Sequence, residues 1–284
     1  MEPIEHKWIR KAFPHVEPES VEHREIAAKL RSYIDIEESK TPWNMTRSIV
    51  LQPPKGMDLR KEVDAAYERK KGKVNVFEVG CGRGYALRTL GIFKGGIANL
   101  DGITLTQSAA DHAAGKHDVD GPVVLQPQNT FGSLAGMIMG NVPTVKVRTG
   151  IIEGLELRDQ DLIFAFQTMR YVIDKAKALE VIANGLARGG KAILHVPGYF
   201  LGKHERHVKD YLERNGIKFR KKRARTVIGW PKEIRLALGR GKTTIDGNYF
   251  LILERSSDTK VDLSRFYKIR TKDYWQNPSA SYKR

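Results

Sequence analysis

Residues 76–85 read VFEVGCGRGY: an apolar run, an acid, and then three glycines at every second position. Val74–Val79 has the composition of a buried parallel strand, and the residues from Tyr85 to Leu90 are typical of a helix. The glycine-rich loop, residues 80–84, therefore lies at the carboxyl edge of a sheet, where open α/β folds bind ligands. Glycines let the backbone turn sharply there and let a ligand approach it.

The spacing of the glycines limits the class of ligand. A dinucleotide loop needs Gly-x-Gly-x-x-Gly; Gly80 and Gly82 fit, but Tyr85 stands where the third glycine is required, which argues against a nicotinamide-dependent oxidoreductase. A P-loop would end in Gly-Lys-Ser/Thr, and this loop does not. The acid before the loop, Glu78, is a poor neighbour for a pyrophosphate and a good one for a cationic ligand that carries an amino group.

Strand-like and helix-like segments alternate along the rest of the chain. Further strands are expected over 97–100, 144–148, 161–166, 192–196, 217–223 and 249–254, and helices over 19–33, 58–70, 107–114, 174–187 and 208–214. This alternation predicts an α/β fold with a mostly parallel, doubly wound sheet and helices on both faces. The last two strands predict an antiparallel hairpin at one edge. The glycines of Arg188-Gly189-Gly190 are expected to end the fourth of these helices.

Three parts of the chain differ in character. Residues 1–72 form a polar, helical N-terminal extension, which is a candidate cap. Residues 73–256 form the α/β domain, with an insert near 119–143 that contains FGSLAGMIMG and is interpreted as either a packed core helix or a lid or substrate wall. Residues 257–284 form a basic C-terminal tail.

Composition restricts the location of the protein. The sequence has no run of 18 apolar residues, so no membrane span is expected, and its charged N-terminus, MEPIEHKWIRKAF, does not resemble a secretory signal. A single cysteine excludes an internal disulfide. Without a signal peptide a cytoplasmic location is favoured. The lone cysteine and the scattered histidines do not have the spacing of zinc ligands.

Positive charge is concentrated in the C-terminal part of the chain. The formal net charge is +16, and residues 201–284 hold 22 lysines and arginines against 9 aspartates and glutamates. The densest basic run, residues 217–230, contains Phe219 and Trp230, and Tyr274 and Trp275 follow in the tail. Basic charge interleaved with aromatic residues favours RNA as a partner. The alternatives are a solvated basic face, or an edge strand that its charge protects from pairing with other chains.

The pattern Glu78-x-Gly80-x-Gly82-x-Gly84 resembles the first motif of the class I S-adenosylmethionine-dependent methyltransferases. The resemblance covers roughly residues 73–255. Residues 159–198 are similar to the family's fourth strand, helix and fifth strand, and LARGG in this segment matches the family's Leu-x-x-Gly-Gly. It implies a Rossmann-like methyltransferase with S-adenosyl-L-methionine as its cofactor. Methyl transfer depends mainly on positioning two reactants, so few catalytic side chains are expected.

The resemblance also implies which residues contact the cofactor. The second strand of the family ends in an acid that binds the ribose hydroxyls; Asp101, which ends IANLD, is favoured for this role and Thr104 is the alternative. No acid aligns with the family's adenine contact, so the backbone around Ile152 or the side chain of Glu153 is expected there. Cys81 is interpreted as a small buried thiol rather than a nucleophile. The predicted cofactor contacts are Glu78, Gly80, Cys81, Gly82, Gly84, Asp101, Thr104, Ile152, Phe166 and Gln167.

The methyl acceptor and the catalytic residues are not assigned by sequence. The polar candidates near the carboxyl edge are Gln167, Arg170, Tyr171, His195 and Tyr199. His195 is either a general base or a satisfied residue of its strand. RNA is the leading acceptor, a small molecule or lipid is the alternative, and a non-catalytic nucleic-acid-binding module of the same fold is the remaining hypothesis.

Overall fold

The computed structural model describes residues 2–38, 50, 53, 57–114, 145–166, 168–198, 200–223 and 248–268. Its strands are β1 (Val74–Val79), β2 (Ala98–Thr104), β3 (Lys146–Thr149), β4 (Gln160–Ala165), β5 (Leu186–Pro197), β6 (Ile217–Arg223) and β7 (Asn248–Arg255). They form one sheet in the order β3-β2-β1-β4-β5-β7-β6. Strands β1 to β5 are parallel, and β7 is antiparallel to both β5 and β6. The predicted mostly parallel sheet with an antiparallel edge is confirmed.

Helices cover both faces of this sheet. They are α1 (Ile4–Ala12), α2 (Val21–Glu38), α3 (Leu59–Lys70), α4 (Tyr85–Lys94), α5 (Gln107–Ala113), α6 (Lys175–Gly185) and α7 (Glu205–Arg214). Because side chains alternate across a strand, the sheet contributes to two cores. One core joins the sheet to α3 and α4, and the other joins it to α6 and α7. The doubly wound arrangement predicted from the sequence is therefore present.

The predicted end of α6 is wrong. The helix ends at Gly185 and β5 begins at once, so Gly189 and Gly190 lie inside a strand. The pairing of β5 with β4 shifts register beside them, and Gly189 has a φ of +78°. A Cβ on Gly190 would lie 2.6 Å from the backbone oxygen of Gln160. The two glycines thus form an irregularity in the sheet and do not terminate a helix.

Helices α1 and α2 pack against each other and against loops at the carboxyl edge of the sheet. Their shared core contains residues of α1 and α2 together with one residue after β3 and one before α6: Trp8, Ile9, Ala12, Phe13, Val16, Ile26, Ala27, Leu30, Ile151 and Ile173. An ion pair of 2.6 Å between Arg31 and the buried Glu5 joins the two helices. The N-terminal extension is therefore attached to the edge that carries the glycine-rich loop.

Several predicted features lie outside the described residues: the whole insert near 119–143, Trp230, Tyr274 and Trp275. Of the C-terminal tail, residues 257–268 are described, and they run along α6. There the amide of Leu263 and the hydroxyl of Tyr267 both donate hydrogen bonds to Glu180, at 2.5 and 2.6 Å. Among the helices that the structure describes, we find none with the length and apolar character of a membrane span.

Candidate functional site

The glycine-rich loop joins β1 to α4 through three residues in the left-handed backbone region. The φ angles are +68° at Gly80, +51° at Gly82 and +71° at Gly84. A residue with a Cβ is strained at such angles, so the backbone path itself requires glycine at all three positions. Gly84 is also the residue that directly precedes α4, whose N-terminus faces the loop.

The three glycines differ in what surrounds them. A Cβ on Gly80 would lie 2.2 Å from Thr168 Cγ2, and one on Gly84 would lie 2.6 Å from Ala113 Cβ. A Cβ on Gly82 would meet no atom of the described residues within 4 Å. Gly80 and Gly84 are therefore enclosed by the protein, whereas Gly82 exposes its backbone to open space that a ligand can enter.

Glu78 lies directly behind this loop and is completely buried. Neither carboxyl oxygen has a hydrogen-bond partner of normal geometry among the described residues. Burial raises the pKa of Glu78 to about 8, and the nearby Leu87 amide offsets only part of this effect. A buried carboxyl without partners is costly, and a cationic ligand would supply the missing donors and charge.

Cys81 is a buried thiol at the centre of the loop. Its amide donates a 2.9 Å hydrogen bond to the backbone oxygen of Ile103 in β2. Burial, followed by the negative charges of Glu78 and Glu37, raises the pKa of the Cys81 thiol well above its usual value. A protonated, buried thiol is a poor nucleophile, as the sequence interpretation expected.

Strand β2 continues three residues beyond Asp101, so the placement of Asp101 at the strand terminus is wrong. Asp101 is in register with Phe77, in the middle of β1, and Thr104 is the last residue of β2. Although Asp-Gly is a common turn pair, Gly102 lies inside the strand, where a Cβ would lie 2.9 Å from Cys81 Sγ. Thr104, the alternative in the sequence, is the residue at the carboxyl edge.

A carboxylate that the sequence analysis missed lies at the end of β2. Glu37 of α2 accepts hydrogen bonds from the hydroxyl of Thr104 at 2.5 Å and from the amide of Thr106 at 2.6 Å. A longer contact of 3.4 Å joins it to the amide of Leu105. Glu37 is 67 residues from Thr104, in a helix whose sequence carries no motif, so no local signal could have identified it.

The loop after β3 holds the two residues considered for an adenine contact. Ile152 is buried at the start of a 3₁₀ turn, Ile152–Gly154. Glu153 accepts hydrogen bonds from the amides of Ile173 and Asp174, at 2.6 and 3.0 Å. Burial raises the pKa of Glu153 to about 7. Since Glu153 is already engaged with the segment before α6, the backbone around Ile152 remains the prediction for this contact.

Aromatic and polar residues gather at the ends of β4 and β5. Phe166 is buried between Phe164 and Phe250, with ring centroids 5.5 and 6.4 Å apart respectively. His195 packs on the same Phe250 at 5.5 Å. Burial, aided by the charge of Arg170, lowers the pKa of His195 to about 4, so its ring is neutral at pH 7. This environment is that of a packed strand residue.

Among the other polar candidates, Tyr171 lies against the N-terminal extension: its ring is 5.2 Å from that of Tyr33 in α2. The guanidinium of Arg170 lies 5.8 Å from the ring of Tyr171. Arg170, Tyr171 and the end of β5 thus lie on the same edge as the glycine-rich loop. Gln167 and Tyr199 lie outside the described residues.

The described part of the basic run is the edge strand β6. Lys218, Arg220 and Lys222 are exposed along one of its faces, and Arg220 forms an ion pair with Glu254. Lys221, on the other face, pairs with Glu205 at 2.7 Å. Phe219 is buried in the core beneath α7, so it is not available to stack on a base. The aromatic part of the RNA prediction is wrong at this residue.

Searches with the sequence found neither a family model nor a curated protein that matches. The fold of this chain is similar to those of several solved structures. The plantazolicin methyltransferase BpumL in complex with SAH has a TM-score of 0.46 and 14% identity, over 89% of this chain and 96% of that one. The N-methyltransferase NodS from Bradyrhizobium japonicum WM9, also in complex with SAH, has a TM-score of 0.47 and 11% identity, over 81% of this chain and 99% of that one. StiE O-MT, residues 961–1257, has a TM-score of 0.45 and 15% identity, over 95% of this chain and 88% of that one.

Proposed function

We propose that this chain is an S-adenosylmethionine-dependent methyltransferase whose cofactor lies on the glycine-rich loop. The observation that carries this proposal is the buried carboxyl of Glu78, whose oxygens have no hydrogen-bond partner of normal geometry among the described residues and which lies behind a loop that is open at Gly82. An ammonium group supplies both donors and positive charge to such a carboxyl. A dinucleotide would instead bring a pyrophosphate next to an acid.

The residues of the site fit the parts of this cofactor. Glu78 would bind the amino group, and the backbone at Gly80, Gly82 and Gly84 would lie along the methionine part. The end of β2, at Thr104, would face the ribose. The other expected cofactor contacts are Cys81 within the loop, Ile152 and Phe166 near the adenine, and Asp101 and Gln167, which the sequence predicted.

The bound cofactor supplies an electrophilic methyl group on a sulfonium, so the protein's task is to position the acceptor and exclude water. The hydroxyl of Thr168, in the loop after β4, donates a hydrogen bond to the backbone oxygen of Gly80 and so connects this loop to the glycine-rich loop. Helices α1 and α2 pack on the carboxyl edge and would serve as its cap. His195, neutral and packed on Phe250, is assigned no proton transfer.

For the acceptor we propose RNA, bound through its phosphates on the exposed face of β6. Lys218 and Lys222 are exposed there, next to Arg220. A second candidate is a small molecule, which the packing of α2 against Tyr171 favours because that helix narrows access to the edge.

Calorimetry separates the cofactor classes. We expect S-adenosylmethionine to bind the full chain and NAD not to bind; the absence of S-adenosylmethionine binding at millimolar concentration would reject the methyltransferase proposal. Incubation with radiolabelled cofactor and a cell extract fractionated into RNA, protein and small molecules then identifies the acceptor. Label in the RNA fraction supports RNA, and label only in small molecules supports the second candidate. Cofactor binding without transfer to any fraction would favour the non-catalytic module.

The RNA surface is tested with charge reversal. We expect Lys218→Glu with Lys222→Glu to weaken RNA binding and reduce its salt dependence. The matched control is Lys71→Glu with Arg158→Glu, because these exposed residues precede the central strands β1 and β4 and do not lie on β6. Equal effects of the two double variants would show that only net charge matters, and would argue against β6 as the RNA site.

A further inference from the structure

We infer that Glu37, from the N-terminal extension, supplies the carboxylate that binds the cofactor's ribose hydroxyls. This inference rests on the proposed function. It makes α2 part of the cofactor site, although α2 lies far from the glycine-rich loop in sequence. It also gives residues 1–72 a role beyond covering the edge of the sheet.

Glu37 contacts the segment at the end of β2 and lies near the glycine-rich loop. On one side, Thr104 and Thr106 at the end of β2 donate to it at 2.5 and 2.6 Å. On the other side lies Cys81 in the glycine-rich loop, whose thiol pKa is raised by the charge of Glu37. A ligand that extends from the loop toward the end of β2 would therefore meet this carboxylate.

The hydrogen-bonding capacity of Glu37 suits a diol. A carboxylate accepts about four hydrogen bonds, and only two of the present contacts are short. The 3.4 Å contact from Leu105 is the weakest of the three. Oε2, which accepts only from Thr106 among the described residues, has one position left, and Oε1 gains one if a hydroxyl replaces the long contact from Leu105. Glu37 is only partly buried, so a ligand can reach it.

Asp101 is less well placed for the same task. It lies three residues before the end of β2, which at about 3.3 Å per residue is roughly 10 Å behind the carboxyl edge. Thr104, at the edge, has a hydroxyl but no charge, and that hydroxyl already donates to Glu37. The carboxylate at the end of β2 is therefore that of Glu37, which belongs to α2.

The test compares S-adenosylhomocysteine with its 2′,3′-dideoxy analogue, by calorimetry on the full chain. We expect the wild type to prefer S-adenosylhomocysteine by about 10- to 100-fold, since two hydrogen bonds to a charged group are lost in the analogue. Glu37→Ala should weaken S-adenosylhomocysteine binding by the same factor and remove the preference. Glu38→Ala, which changes the adjacent exposed acid, should retain it.

The ratio of the two affinities distinguishes a ribose contact from a structural role. If Glu37 only holds α2 in place, Glu37→Ala weakens both ligands equally and the preference stays, which overturns the inference. Tighter binding of S-adenosylhomocysteine by Glu37→Ala would show that Glu37 obstructs the site, and loss of the preference in Asp101→Ala alone would assign the contact to Asp101. A wild type that binds neither ligand would instead reject the methyltransferase proposal itself.

Discussion

The hydroxyl of Thr168 lies 3.2 Å from the backbone oxygen of Gly80 and donates a hydrogen bond that joins the loop after β4 to the glycine-rich loop. The contact is so close that a Cβ on Gly80 would lie 2.2 Å from Thr168 Cγ2. The first glycine is thus required by packing within the protein. Gly82, two residues later, has a similar backbone conformation and open surroundings. A substitution at Gly82 can therefore separate the stability cost of a strained backbone conformation from a loss of ligand affinity.

We predict that Gly82→Ala abolishes or strongly weakens S-adenosylhomocysteine binding while the protein stays folded. The new Cβ would occupy the space that the ligand needs, and the left-handed φ of +51° would cost roughly 1–2 kcal/mol of stability. Calorimetry gives the affinity, and urea denaturation gives the free energy of unfolding.

Gly202→Ala is the matched control for this variant. Gly202 has a φ of +53°, and its Cβ would also meet no described atom within 4 Å, but it lies between β5 and α7, and β5 is two strands from β1 in the sheet. The two variants should lose similar stability, and only Gly82→Ala should lose affinity. Normal affinity in Gly82→Ala would show that the open space beside Gly82 is not the ligand site.

We predict that Glu78→Gln stabilises the protein at pH 8 and above while it weakens cofactor binding. The folded-state pKa of Glu78 is about 8, above the ordinary value of 4.5, so folding takes up a proton between these values. The wild type therefore loses stability as the pH rises from about 4.5 to about 8, by up to about 5 kcal/mol. The neutral variant lacks this loss, which thermal unfolding at pH 5 and pH 8.5 measures.

Binding provides the second half of this prediction. Below pH 8, the wild type should release a proton when it binds S-adenosylhomocysteine, because the ligand's ammonium favours the ionised carboxyl. Calorimetry in two buffers of different ionisation enthalpy detects that proton. Glu153→Gln is the control: Glu153 also has a raised pKa, of about 7, but its replacement should leave this proton release intact. If Glu78→Gln binds as tightly as the wild type, the carboxyl does not hold the amino group.

Sequence reasoning succeeded where one short segment determines both conformation and surroundings. The three glycines of the loop have the left-handed φ values that their spacing suggested, and β1 has the predicted bounds, Val74–Val79. The alternation of strands and helices was equally local, so the mixed sheet followed from it. These features depend on residues that are close together in the chain.

The errors arose where tertiary contacts decide. Asp101 was expected to end the second strand, but β2 extends to Thr104 and Gly102 packs closely against Cys81 of the neighbouring loop. Phe219 alternates with basic residues and suggested an RNA-stacking surface, yet its side of β6 is covered by α7. The contact between Glu37 and the end of β2 joins segments 67 residues apart and has no counterpart in any local pattern.

We predict that His195 contributes to the loss of stability in acid. Its folded-state pKa is about 4, below the ordinary 6.5, so the unfolded chain binds more protons between these values. Stability should therefore decline as the pH falls from about 6.5 to about 4, by up to roughly 3 kcal/mol from this residue. Urea denaturation of His195→Gln should show a smaller decline over this range, whereas the exposed His207→Gln should behave as the wild type does. An unchanged decline in His195→Gln would place the acid sensitivity elsewhere.

We predict that Arg255→Lys destabilises the fold by about 2–4 kcal/mol, because a buried guanidinium there satisfies several backbone oxygens at once. Its nitrogens donate to Leu186 at the start of β5, to two residues at the end of α6, and to Ser257 and Thr259 after β7, at distances of 2.7 to 3.2 Å. An ammonium has three donors at one point and cannot reach both sides of this cluster.

The control for this prediction is Arg220→Lys in the neighbouring strand. Arg220 is about half exposed and its partner is the single carboxylate of Glu254, so its replacement should change stability by less than about 1 kcal/mol. Urea denaturation at pH 7 compares the two variants at equal charge. Equal stability changes would mean that the carbonyl cluster around Arg255 can be solvated or rearranged, and that the junction of α6 with β5 does not depend on the planar, multidentate guanidinium.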